Sequence, residues 1–146
     1  MQKTKANFKA LRETVGMSQQ YLADILGVNV RSIKRWENPK ATDYGVAPQD
    51  AWDVLEDARK AQKTIVEMGV KQVKQLEKRM SEESDADLNE VGLTYWFSEN
   101  EYEKAHPGQG REWQMANANS RMVAFELEKL GYSVNFDFPG IKSITE

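Results

Sequence analysis

The sequence predicts a mainly α chain: a helical headpiece followed by a small α+β module ordered β-α-α-β. Three observations carry that prediction. Apolar residues recur at helical spacing across most of residues 5–80; Gly16, Gly27 and Pro39 punctuate the first stretch into short helices; and only residues 91–146 show the alternation typical of strands.

The first helix is expected from about Lys5 to Val15, with Phe8, Leu11 and Val15 on one face and Gly16 ending it. Ser18 is a good N-cap for a second helix, Gln19 to Leu26, and Met17 and Leu22 have the spacing of a hydrophobic staple. Gly27 can take the left-handed conformation that a sharp reversal needs. Asn29 then caps a third helix reaching about Glu37, with Val28 and Ile33 at staple spacing, and Pro39 bars its continuation.

Residues 38–47 read as a loop, and Pro48 can open the next helix with Asp50 and Asp53 near its positive end. Trp52, Leu55, Ala58, Ala61, Ile65 and Met68, then Val73, Leu76 and Met80, recur at helical spacing. Gly69 divides them into two helices, making five in the headpiece and connecting segment. The acidic run 81–90 reads as a flexible linker.

In the tail, Val91, Leu93, Tyr95 and Phe97 alternate as in a strand. Ser98 and Glu101 have capping-box spacing and Phe97 and Tyr102 staple spacing, so a short helix starts there. Pro107-Gly108-Gln109-Gly110 is a turn, a helix runs from about Arg111 to Leu130, and Tyr132, Val134, Phe136 and Phe138 form a second strand. The expected division is 1–68, a connecting segment 69–90, and a module 91–146.

Composition removes several function classes. There is no cysteine and one histidine, which excludes disulfides, thiolate chemistry and the usual zinc-ligand sets. No apolar run is long enough to span a membrane, residues 1–5 lead into no signal-peptide core, and a cytoplasmic location is the default. The net charge of −3 hides an asymmetry: residues 1–47 hold eight basic and four acidic side chains, whereas residues 48–146 hold 12 and 19. Only the first third has the sign that phosphate attracts. In the tail, Glu99, Glu103 and His106 share a helical face, and Glu103 and His106 have metal-pair spacing, but no second histidine completes a site. A capped, solvated acidic helix explains them, so no cofactor, metal or catalytic residue is expected.

Residues 17–37 are the most informative. Leu22, Ala23 and Leu26 face inward from one helix and Ile33 and Trp36 from the next, leaving Val30, Arg31, Lys34 and Arg35 on the outer face of the third. A helix fits the major groove of DNA, and its outward N-terminal residues reach base edges. An arginine there can grip guanine O6 and N7 together, a contact worth about 1–3 kcal/mol of discrimination. The bland reading of the same arginines is a solvated basic face, and Lys3, Lys5 and Lys9 are either a loose basic arm or solvated lysines.

On Leu11-Arg12-Glu13, Gly16-Met17-Ser18-Gln19, Leu22-Ala23, Leu26-Gly27-Val28, Ile33 and Arg35-Trp36-Glu37, the sequence resembles the Cro/CI-type (XRE) helix-turn-helix regulators, lambda-repressor-like in fold. The resemblance covers roughly residues 5–38. It implies that Arg31, Ser32 and Arg35 face bases, that Gln19 lies at a helix N-terminus near a phosphate, and that Arg12 pairs with Glu37. With Val30 beside them these form the base-contacting set; Gln19, Asn29, Lys34 and Lys40 form the phosphate-contacting set. Pro39 stands where many members have glycine, a departure that bears on the loop and leaves the recognition helix intact. In overall layout the chain also resembles the anti-CRISPR-associated helix-turn-helix repressors and their relatives, whose tail is associated with dimerisation.

The helix at 111–130 carries two apolar stripes: Trp113, Ala116, Val123, Leu127 and Leu130, and Met115, Ala118, Met122 and Phe125. Something must cover both, either the long helix or a second subunit. The function expected is thus a sequence-specific DNA-binding transcriptional regulator, not an enzyme. It would be a homodimer through its C-terminal module, repressing from a palindromic double-stranded operator read by residues 29–37. Two alternatives stand beside it: an antitoxin whose tail neutralises a toxin, and an interaction adaptor that has lost DNA affinity.

Overall fold

The structure is a computed structural model that describes residues 1–84 and 88–141. Helices α1 (Lys5–Val15), α2 (Gln19–Leu26), α3 (Val30–Glu37) and α4 (Gln49–Ser84) come first. Strand β1 (Glu90–Thr94), helix α5 (Glu99–Ala105), one 3-10 turn (Gly110–Glu112), helix α6 (Trp113–Lys129) and strand β2 (Ser133–Asp137) follow. The chain divides into two compact units, Met1–Gln62 and Lys63–Glu146, and α4 contributes residues to both.

In the first unit, three local devices cut the chain into short helices. Thr4, Ser18 and Asn29 cap α1, α2 and α3, each side-chain oxygen accepting one of the otherwise unpaired N–H groups of the first turn. Gly27 closes α2 at φ +67°, where a side chain would be strained, and the chain reverses there. After Glu37 the backbone becomes extended at Asn38, as the proline at 39 requires. Phe8, Leu11, Val15, Met17, Leu22, Ala23, Ile33, Ala51, Trp52 and Leu55 are buried together. Phe8 meets Trp36 and Trp52 edge-on, with ring centroids 6.1 and 5.2 Å apart. Gln62 is buried too, and its amide donates to the Thr14 carbonyl at 2.8 Å, which satisfies a polar group that would otherwise be costly.

Gly69 does not divide α4, which runs unbroken from Gln49 to Ser84, so four helices precede the tail where five were expected. An interior glycine costs a helix about 1 kcal/mol relative to alanine. Here its missing side chain admits another helix: a Cβ at Gly69 would stand 3.1 Å from Val123 Cγ2 on α6. The linker expected at 81–90 is also shorter. Residues 81–84 complete the last turn of α4, where Ser84 Oγ donates to the Met80 carbonyl, and Glu90 begins β1. Residues 85–87 of that run lie outside the described residues.

The second unit centres on Val66, Val91, Val123 and Leu127, with Val70, Val73, Leu93, Met122 and Val134 packed around them. Strands β1 and β2 pair in parallel, Val91 opposite Val134 and Leu93 opposite Phe136, and the segment with two helices between them supplies the long crossover that parallel pairing needs. Buried Asn117 on α6 clips the chain after β1: its Oδ1 accepts the Trp96 N–H and its Nδ2 donates to the Trp96 carbonyl, both at 2.7 Å. Ser98 caps α5 as expected, its hydroxyl accepting the Glu101 N–H. Trp96 meets Tyr102 edge-on, with ring centroids 5.2 Å apart; Phe97, expected there, is exposed and its ring meets Phe138 instead. Of the stripes on α6, Val123, Leu127 and Ala118 are buried, whereas Phe125 and Leu130 are more than half exposed.

Candidate nucleic-acid interface

Every third or fourth residue of α3 points into the headpiece. Ile33 is fully buried, Glu37 is 7% exposed, and Trp36 is half-buried against Phe8. The opposite face carries Arg31, Lys34 and Arg35, all exposed, with Val30 and Ser32 partly exposed at the N-terminal end. The only carboxylate on α3 is that of Glu37, and it is turned inward and neutralised. The outward face of this helix therefore carries three cations and no negative charge, and Lys40, also exposed, adds another just beyond the helix end.

The inward side explains how that face is held. Arg12 Nε donates to Glu37 Oε2 at 2.6 Å and its Nη2 to Oε1 at 2.8 Å, a two-pronged ion pair between α1 and α3. The remaining Arg12 Nη1 donates to the Met17 carbonyl at 2.9 Å, so the same guanidinium also ties down the turn before α2. Burial of both partners makes this geometry hard to exchange for water. The pairing that the family resemblance implied is present.

The residues expected near phosphates sit in different circumstances. Gln19 opens α2, as expected, but its amide donates to Glu37 Oε1 at 3.2 Å and so takes part in the buried network. Asn29 lies at the N-cap of α3, its Oδ1 accepting the Arg31 N–H at 2.9 Å. Lys34 and Lys40 are exposed; the Lys40 backbone N–H donates to Asn38 Oδ1. The structure thus brings Val30, Arg31, Ser32, Lys34 and Arg35 onto one helix, with Asn29 capping it and Gln19 beneath its far end.

Two residues of this region have roles that sequence reasoning did not assign. Tyr44, in the loop after α3, accepts a hydrogen bond from Arg35 Nη1 at 2.7 Å, and the guanidinium lies 4.4 Å from its ring centroid. Lys5, read as part of a loose arm or as solvated, donates to the Arg35 carbonyl at 2.7 Å and to the Gly45 carbonyl at 3.2 Å. A single aromatic among small and charged loop residues is a weak signal, and nothing local in the sequence joins it to Arg35.

Glu103 accepts the Gly108 and Gly110 N–H groups at 2.7 and 2.6 Å, and these two bonds, in that order, hold its carboxyl below the usual carboxylate range. His106 stacks on Tyr102 with ring centroids 4.4 Å apart. Among the described residues, no group of three His, Cys, Asp or Glu could hold a metal ion, and no helix is long and apolar enough to cross a membrane.

A capped short helix, set across a glycine turn from the helix before it and bearing cations and no carboxylate outward, suits the major-groove docking of helix-turn-helix proteins. Residues 8–41 match the family described as Helix-turn-helix, and this segment is a helix-turn-helix of the Cro/CI (XRE) type. No curated protein matches the sequence.

Proposed function

We propose that the protein is a sequence-specific DNA-binding transcriptional regulator that represses from a palindromic operator, each half-site read by α3 in the major groove. The observation that carries this reading is the outward face of α3, which bears Arg31, Lys34 and Arg35 and no negative charge because its one carboxylate is locked inward against Arg12. In this reading Arg31 and Arg35 contact base edges with Val30 and Ser32 beside them. Asn29, Lys34, Lys40 and the N-terminus of α2 at Gln19 meet phosphates. Positional contacts to the backbone set register, and the arginines supply discrimination.

Reading two half-sites about 34–36 Å apart calls for a symmetric dimer. We assign dimerisation to the C-terminal module. The support is the apolar surface left exposed on the second unit, chiefly Phe125 on α6, Leu130 at its C-cap, Phe136 on β2, and Phe97 and Phe138 just beyond the strands.

Selection of bound sites from random duplex DNA tests the reading directly. The expected product is a short motif with inverted symmetry. Arg31→Ala and Arg35→Ala should each relax preference at one base pair per half-site, a loss of about 1–3 kcal/mol of discrimination there. If no motif is enriched, or if the double variant retains wild-type affinity and selectivity, α3 is not the reading element.

A further inference from the structure

We propose that Tyr44 is a positioning residue for DNA read-out, setting the orientation of the Arg35 guanidinium before any DNA arrives. This inference rests on the DNA-binding reading above and adds a residue outside the matched helix-turn-helix segment, which ends at residue 41.

An exposed arginine on a helix has several freely rotating bonds, and a two-pronged contact to a base demands one orientation of its planar fork. Arg35 is held in two ways at once. Its Nη1 donates to the Tyr44 hydroxyl at 2.7 Å, and its guanidinium carbon lies 4.4 Å from the centre of the tyrosine ring. The hydrogen bond fixes one corner of the fork and the ring contact restricts its plane. Only one N–H donor is consumed, so the remaining donors stay available for a base edge.

The tyrosine is itself presented by a built loop. Lys5 bridges the Arg35 and Gly45 carbonyls, closing the loop across its base. Asn38 Oδ1 accepts the Lys40 N–H, the Tyr44 N–H donates to the Ala41 carbonyl, and buried Ala47 accepts from Trp52 Nε1. A loop pinned at both ends can hold an aromatic ring against a neighbouring side chain, and a free loop could not. The departure at Pro39 lies within this same segment.

The experiment is equilibrium binding of the full chain to its selected operator, and to operators altered at each base pair. Wild type, Tyr44→Phe, Tyr44→Ala, Arg35→Ala and the Tyr44→Ala/Arg35→Ala double variant are compared, with thermal unfolding in parallel. Tyr44→Phe keeps the ring and loses the acceptor; Tyr44→Ala loses both. Operator affinity should fall by about threefold for the first and about tenfold for the second, as expected for releasing one long side chain. The loss should be confined to the base pair whose preference Arg35→Ala also abolishes, with the salt dependence unchanged because no phosphate contact is removed. In the Arg35→Ala background, Tyr44→Ala should have no further effect.

Selective wild-type binding that Tyr44→Ala leaves unmoved, tightens, or weakens equally on every sequence overturns the positioning role alone. A persisting effect in the Arg35→Ala background does the same. Absence of selective binding by the wild type overturns the DNA-binding reading, and this proposal with it.

Discussion

Arg12 and Glu37 meet with side chains only 11% and 4% exposed, so either one without the other would be an uncompensated interior charge. Truncating Glu37 would also leave Gln19 without its acceptor. Glu37→Ala is expected to destabilise the first unit by about 3–5 kcal/mol, measured by urea unfolding followed through the fluorescence of Trp36 and Trp52 in a Trp96→Phe/Trp113→Phe background. A loss below about 1 kcal/mol would mean that the pair is not the lock on α3. Glu103 poses a different question, because it is exposed and its role is confined to one turn. Its carboxyl is held below the usual range by N–H donation from Gly108 and Gly110. A depressed folded value means that the contribution is complete above the unfolded value and is lost as pH falls through the folded one. The Gly108 and Gly110 amide resonances should therefore titrate with an acidic midpoint below that of an ordinary glutamate, and Glu103→Gln should abolish that titration. An ordinary midpoint would count against these bonds in solution.

Among the elements, α4 shows how tertiary contact overrides a local signal. A glycine in the middle of a helix is a reason to end it, and the sequence read alone places a break there. In the folded chain the gap at Gly69 is filled by Val123 of α6, so the backbone approach compensates for the poor helix propensity. A Cβ there meets Val123 Cγ2 at 3.1 Å, so Val123 must give by a few tenths of an ångström to admit it. Gly69→Leu is expected to destabilise the second unit by about 1–3 kcal/mol through overpacking, read as a lower thermal midpoint. A neutral outcome would show that the helices separate freely there. The acidic end of α4 is helical where a linker was expected, for a related reason. A polar, charged run is equally compatible with a solvated helix and with a linker, and the helix already formed upstream decides the matter.

At the scale of the whole molecule, charge and apolar surface are distributed unequally along the chain. The basic surplus of residues 1–47 and the acidic surplus of residues 48–146 suit a protein that approaches a polyanion with one part and assembles through another. Among the described large apolar side chains of the second unit, Phe125 is the most exposed at 59%. On the proposed reading, the wild-type chain sediments as a dimer and Phe125→Glu moves the equilibrium toward monomer while the headpiece keeps its thermal transition. A monomer at all concentrations, or a dimer unaffected by the change, would remove the C-terminal module as the point of assembly.

What the amino-acid order determined by itself is the short-range architecture: the limits of α1, α2 and α3, the caps of α2 and α3, the reversal at Gly27 and the cationic set on α3. Ser18, Gly27, Asn29 and Pro39 each act on backbone groups within a few residues, so their effect is readable without knowing the fold. Only the tertiary structure decided which apolar stripe of α4 and α6 is covered, that β1 and β2 run parallel, and what Gln62, Asn117 and Arg35 touch. The partners of those three lie 48, 21 and 9 residues away. Periodicity marks a face without naming its neighbour, and a hydrogen bond across such separations exists only once packing has brought the two groups together.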